Sequence, residues 1–72
     1  MKVFNEDLRL RDFNAWSGAV DTKKVILENE KEEDFNDLID ELFPDGLSET
    51  ELNDLLWFDD DFIFENLNIN IK

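Results

Sequence analysis

The stretch KEEDFNDLIDELFPDGLSETELNDLLWF, residues 31 to 58, contains two helix signatures separated by a stop and a start. Phe35, Leu38, Ile39, Leu42 and Phe43 fall at i, i+3, i+4, i+7 and i+8, one apolar stripe at the 3.6-residue period. This spacing predicts a helix from Lys31 to Phe43. Glu32, Glu33 and Asp34 occupy its first turn, where negative charge suits the positive end of the helix dipole. Pro44 ends the helix, because the residue before a proline is pushed out of helical conformation. Phe43-Pro44-Asp45-Gly46 then reads as a tight turn with proline at its second position.

The start that follows is complete. In Ser48-Glu49-Thr50-Glu51 the Ser48 hydroxyl can accept from the Glu51 amide while the Glu51 carboxylate reaches back to the Ser48 amide, a capping box. Leu47 and Leu52 sit where a hydrophobic staple places its two apolar residues. The predicted helix runs from Glu49 to about Trp57 and buries Leu52, Leu55 and Leu56. Beyond it, Asp59, Asp60 and Asp61 separate two apolar clusters. A helix ending near Trp57 and another beginning near Asp60 need an N-cap between them; Asp59 or Asp60 can supply it, and Asp61 favours the dipole of the next turn. Ile63 and Leu67 are then i and i+4 on the inner side, with Phe62 or Phe64 beside them. Asn68 suits the left-handed conformation that ends a helix.

Working outward to the N-terminal third, Asp12 can cap a helix whose inner face carries Phe13, Trp16, Val20 and Leu27. Ser17-Gly18-Ala19 is a run of small residues that lets another element approach closely. Lys24 to Leu27 fits either the end of this helix or an extended segment. Alternation in Asn68-Ile69-Asn70-Ile71 permits a short strand pairing with Lys2-Val3-Phe4. Together these elements predict an all-α fold, a compact bundle of about four short helices with a short terminal strand pair. The predicted core is Phe13, Trp16, Val20, Phe35, Leu38, Ile39, Leu42, Leu52, Leu55, Leu56, Ile63 and Leu67. It is thin for a lone domain, so a homodimer or a bound partner would add stability.

Length and composition bound the function. Residues 1–72 make one small domain near the lower limit for a self-sufficient core. With 42% hydrophobic and 12% aromatic residues, the chain is too apolar for a disordered acidic tail despite a net charge of -13. There is no cysteine, hence no disulfide framework and no sign of an oxidising compartment. The N-terminal residues lack the apolar run of a signal peptide, and no segment approaches the roughly 18 apolar residues of a membrane span. A cytoplasmic protein is expected.

Asp12-Phe13, Trp16-Ser17-Gly18-Ala19, Glu41-Leu42-Phe43-Pro44-Asp45-Gly46, Glu51-Leu52-Asn53-Asp54 and Trp57-Phe58 with its following acids carry a resemblance. Over roughly residues 10 to 68 the chain resembles a group of short acidic proteins of Gram-positive bacteria, their phages and conjugative elements. It departs from that pattern at Asn68, where a helix-ending glycine is more usual, and at Phe62 and Phe64, which are more apolar. The resemblance implies a mobile-element origin and supplies no active site.

The residues themselves argue against catalysis. The absence of His, Cys and Tyr removes the commonest general base, the thiolate nucleophile and imidazole metal sites. Ser48 already has a capping role, Ser17 has no evident base, and two glycines make no phosphate-binding loop. Carboxylate pairs abound, but a glycosidase-like dyad needs a cleft that a chain of this size rarely builds. Calcium at Asp59, Asp60, Asp61 and Glu65 is disfavoured, because Phe62, Ile63 and Phe64 stand where alternating ligands and a glycine belong. No catalytic residue, metal or cofactor is therefore expected.

Charge is the remaining lead. Residues 1 to 31 carry six basic and six acidic side chains, whereas residues 32 to 71 carry fourteen acids and no Lys or Arg. That asymmetry opposes direct binding to nucleic acid or an anionic membrane and fits a basic protein partner. On the first of the two helices Glu33, Asp37, Asp40 and Glu41 lie off the apolar stripe. Four charges over about 12 Å of helix give roughly one per 3 Å, close to the 3.4 Å spacing of one DNA strand. Glu49, Asp54, Asp59, Asp60 and Asp61 would complete duplex density if the helices lay side by side. The expectation is a non-catalytic protein-binding module from a phage or mobile element, with an acidic nucleic-acid mimic inhibiting a host DNA- or RNA-handling enzyme as one form of it. The alternative is a helical interaction module anchored by Trp57, Phe58, Phe62 and Phe64, with the acids serving as a rim or only for solubility.

Overall fold

The computed structural model describes residues 1–4 and 6–70. Strand β1 (Lys2–Val3) turns into β2 (Glu6–Asp7), and a 3-10 turn follows at Leu10–Asp12. Helices α1 (Ala19–Glu28), α2 (Glu32–Leu42), α3 (Glu49–Phe58) and α4 (Asp60–Asn66) follow. Among the described residues the fold is a compact all-α bundle of four short helices with one two-stranded antiparallel sheet.

The two central helices form where their local signals place them. The apolar stripe of α2 buries Phe35 and Ile39 with Leu38 half-buried, while Leu42, on the same stripe but in the last turn, is exposed. The Gly46 N–H donates to Phe43 O at 2.8 Å, closing the turn at Pro44, and Gly46 has a φ of 93°, a conformation that glycine adopts without steric cost. At α3 both halves of the capping box are made: Glu51 N–H to Ser48 Oγ at 3.1 Å and Ser48 N–H to Glu51 Oε1 at 3.0 Å. The staple residues Leu47 and Leu52 are both buried.

The triple aspartate is a joint of one residue. Asp59, at φ -110° and ψ 29°, ends α3 and begins α4. Its side chain makes no cap; instead Asp60 Oδ1 accepts the Asp61 N–H at 3.0 Å. Because α4 starts so soon after α3, its phase is set, and Ile63, Phe64 and Leu67 turn inward. Its end is a Schellman motif. The Ile69 N–H donates to Phe64 O at 2.9 Å and the Asn68 N–H to Glu65 O at 3.3 Å, with Asn68 left-handed at φ 56°. The same motif ends α1, where the Lys31 N–H reaches Ile26 O at 3.0 Å and Glu30 takes the left-handed position at φ 57°.

The first third departs from the expected helix. Asp12 closes a 3-10 turn, residues 13–18 are irregular, and α1 begins only at Ala19. Residues 24–27 are helical. The inner face of α1 is Ala19, Thr22 and Ile26, whereas Trp16 and Val20, both expected in the core, are exposed. The reason is the close approach of α3. A Cβ on Gly18 would lie 2.2 Å from Trp57 Nε1, so the small-residue segment lies under an indole and not inside a helix. Asn53 of α3 completes the hold. Fully buried, it accepts the Trp16 N–H through Oδ1 at 2.9 Å and donates Nδ2 to Trp16 O at 3.3 Å.

The strand pair is present with a different partner. β1 pairs with β2, Lys2 opposite Asp7 and Val3 opposite Glu6, and not with the expected C-terminal strand, whose Ile71 lies outside the described residues. Leu47 occupies the other side of β1. It accepts the Phe4 N–H at 2.9 Å and donates to Lys2 O at 3.1 Å, so the extended residue before α3 uses the sheet's free edge. Leu10, Met1 and Val3 join the core, which none of the helical spacings had signalled.

Candidate protein-binding surfaces

The acidic half separates into one structural carboxylate and a solvated remainder. Glu32, in the first turn of α2, is buried and accepts the Arg11 N–H at 2.7 Å and Arg11 Nε at 2.9 Å. The side-chain hydrogen bond from Arg11 holds the Glu32 carboxyl below its usual range, against the opposing effect of burial. The Arg11 guanidinium is raised in turn by the same partner. Of the fourteen acids after Lys31, only two others lie near a basic nitrogen among the described residues. Asp34 is 3.8 Å from Lys31 Nζ and Asp40 is 3.9 Å from the Met1 amine. The other eleven make no ion pair among the described residues.

Glu33, Asp37, Asp40 and Glu41 are all exposed on α2, in a single row on the side away from Phe35 and Ile39. The second group, Glu49, Asp54, Asp59, Asp60 and Asp61, lies on α3 and the joint, with Asp60 half-buried and the rest exposed. The two groups lie on helices that are not each other's chief packing partners. α3 packs chiefly on α1, and α2 packs on the 3-10 turn and on α1, because Gly18 and Asn53 draw α3 to the N-terminal third.

The aromatic residues divide as well. Phe58 is 66% exposed and stacks on Trp57, with ring centroids 4.6 Å apart and 16° between planes. Trp57 is 40% exposed but covers Gly18, so it belongs partly to the α1–α3 packing. Phe62 is exposed on α4. Phe64 is buried, at 6% exposure, and packs with Ile69 in the α4 end motif; its expected place in an exposed aromatic surface is wrong because the one-residue joint rotates it inward. Between the end of α2 and α3 is a surface depression lined by Phe43, Glu51, Asp54, Leu55, Phe58 and Asp59. Sequence patterning did not mark it, since Phe43 is brought there by the turn at Pro44.

Among the described residues no group of three or more Asp or Glu side chains is arranged to hold a metal ion. No helix among them is long and apolar enough to cross a membrane. No protein-family model, curated protein or solved structure matches the chain.

Proposed function

We propose that the chain is a non-catalytic protein-binding module of phage or mobile-element origin that inhibits a host DNA- or RNA-handling enzyme. The α2 row of Glu33, Asp37, Asp40 and Glu41 stands in for the phosphates of one nucleic-acid strand and occupies the basic channel of that enzyme. The observation that carries this reading is the exposed row itself, among whose members only Asp40 is near a cation among the described residues. A purely solubilising face has no need of a single sign, because mixed charges at i, i+4 stabilise a helix and like charges cost about 0.2–0.5 kcal/mol per pair. Carboxylates left unneutralised are available to Lys and Arg of a partner, and steer its approach.

Capture from lysate tests the reading. Proteins retained by the immobilised chain at low salt should be nucleic-acid-binding, should be released by added single-stranded oligonucleotide, and should dissociate steeply as salt rises. Retained proteins indifferent to both oligonucleotide and salt would refute it. That second outcome favours the aromatic module, for which the observation is Phe58, whose ring is two-thirds exposed and backed by Trp57.

A further inference from the structure

We propose that the depression between the end of α2 and α3 seats one basic amphipathic helix of a protein partner, an inference that rests on the reading of this chain as a binder of basic protein surfaces. Glu51, Asp54, Leu55 and Phe58 stand at i, i+3, i+4 and i+7 of α3, a stripe turned away from the buried Leu52, Asn53 and Leu56. The stripe is about 10 Å long at the helical rise, the length of two turns of a docked helix. Leu55 and Phe43 are half-buried against the core and give a firm apolar floor, while Phe58 projects as one wall.

The rim decides the occupant. Asp54 and Asp59 are exposed and have no ion-pair partner among the described residues, and Glu51 commits Oε1 to the Ser48 amide. A second copy of this chain is a poor occupant, because two molecules of net charge -13 would set these carboxylates against each other. A neutral apolar helix would leave the rim carboxylates partly desolvated and unpaired. A helix with apolar residues at i, i+3 or i+4, and i+7, flanked by Lys or Arg, satisfies both floor and rim. It adds an apolar contact that phosphate imitation lacks and that salt screens little.

The probe is a synthetic two- to four-turn peptide of leucine and lysine in amphipathic helical order, beside an isomer of the same composition in shuffled order. Each is titrated into the full chain at about 0.15 M salt, where the Debye length is about 8 Å, and backbone amide shifts are followed. The ordered peptide should shift residues 43 and 51–59, and the isomer should bind about tenfold more weakly. Phe58→Ala should weaken the ordered peptide about tenfold and leave the isomer unaffected. The combined variant Glu33→Gln, Asp37→Asn, Glu41→Gln should retain the ordered peptide, so that failure of the nucleic-acid reading is recorded separately. Equal affinity for the two peptides, shifts spread over every acidic face, or indifference to Phe58→Ala in a variant with an otherwise unchanged amide spectrum would overturn the proposal.

Discussion

The two ends of the charge distribution do different work. In the first 31 residues two basic side chains hold other parts of the molecule: Arg11 holds Glu32, and Lys23 Nζ donates to the carbonyls of Arg11 and Phe13. These bonds tie the irregular segment before α1 to the helices. In the acidic half the carboxylates mostly face solvent, and Glu32 is the one that is buried. Arg11 and Lys23 thus serve the fold, while most of the anions after Lys31 lie on the surface. Substitutions in the N-terminal third and its α3 contacts should therefore cost stability, whereas substitutions in the α2 row should cost binding.

Asn53→Ala breaks the structural side most severely. It removes both bonds to the Trp16 backbone, so the unfolding free energy should fall by about 2–3 kcal/mol. Chemical denaturation checks it; a midpoint equal to the parent's would show that the segment is held by other contacts. Gly18→Ala comes next. The added methyl must displace the Trp57 ring, an overpacking cost of about 1–3 kcal/mol. A blue or red shift in tryptophan emission should accompany it if the ring moves.

A smaller loss, about 1 kcal/mol, is expected for Ser48→Ala, the usual scale for an N-cap. An unchanged midpoint would remove the capping box from the account of α3. The Arg11–Glu32 pair responds to pH. Glu32 has its folded pKa lowered, so its contribution is present above the unfolded value near 4.5 and is lost as pH falls through the folded value. Stability of the parent relative to Glu32→Gln should be constant near neutrality and narrow below about pH 4.5. A gap that does not change with acid would mean that the carboxylate's charge is not what Arg11 holds.

Local chemistry made much of the fold legible. The α2 stripe, the stop at Pro44, the capping box and staple and the turn at Asn68 are written in neighbouring residues, and each forms apart from the exposed Leu42; the aspartate joint forms without the side-chain cap expected of Asp59. The 3-10 turn and the loop to Gly18 were not legible, because their geometry is imposed from afar by Asn53, Trp57 and Lys23. Asn53 itself looks from sequence like one more polar residue on a helix surface. Phe62 and Phe64 differ in burial only through the phase that a one-residue joint imposes on α4, which neighbouring residues do not encode. For the surfaces, the α2 row is a property of one helix and was readable, while its relation to the acids of α3 depends on packing that the pattern does not contain.

On the proposed function, the α2 row serves binding and not stability. The direct measurement compares the parent with the combined variant Glu33→Gln, Asp37→Asn, Glu41→Gln, in denaturation and in capture from lysate at low salt. Removing two like-charge i, i+4 pairs and one first-turn acid involves opposing effects of a few tenths of a kcal/mol each, so stability should stay within about 0.5 kcal/mol of the parent. Capture of the oligonucleotide-displaceable protein should be lost. A variant that unfolds much more easily, or one that retains the same protein as its parent, would contradict the claim.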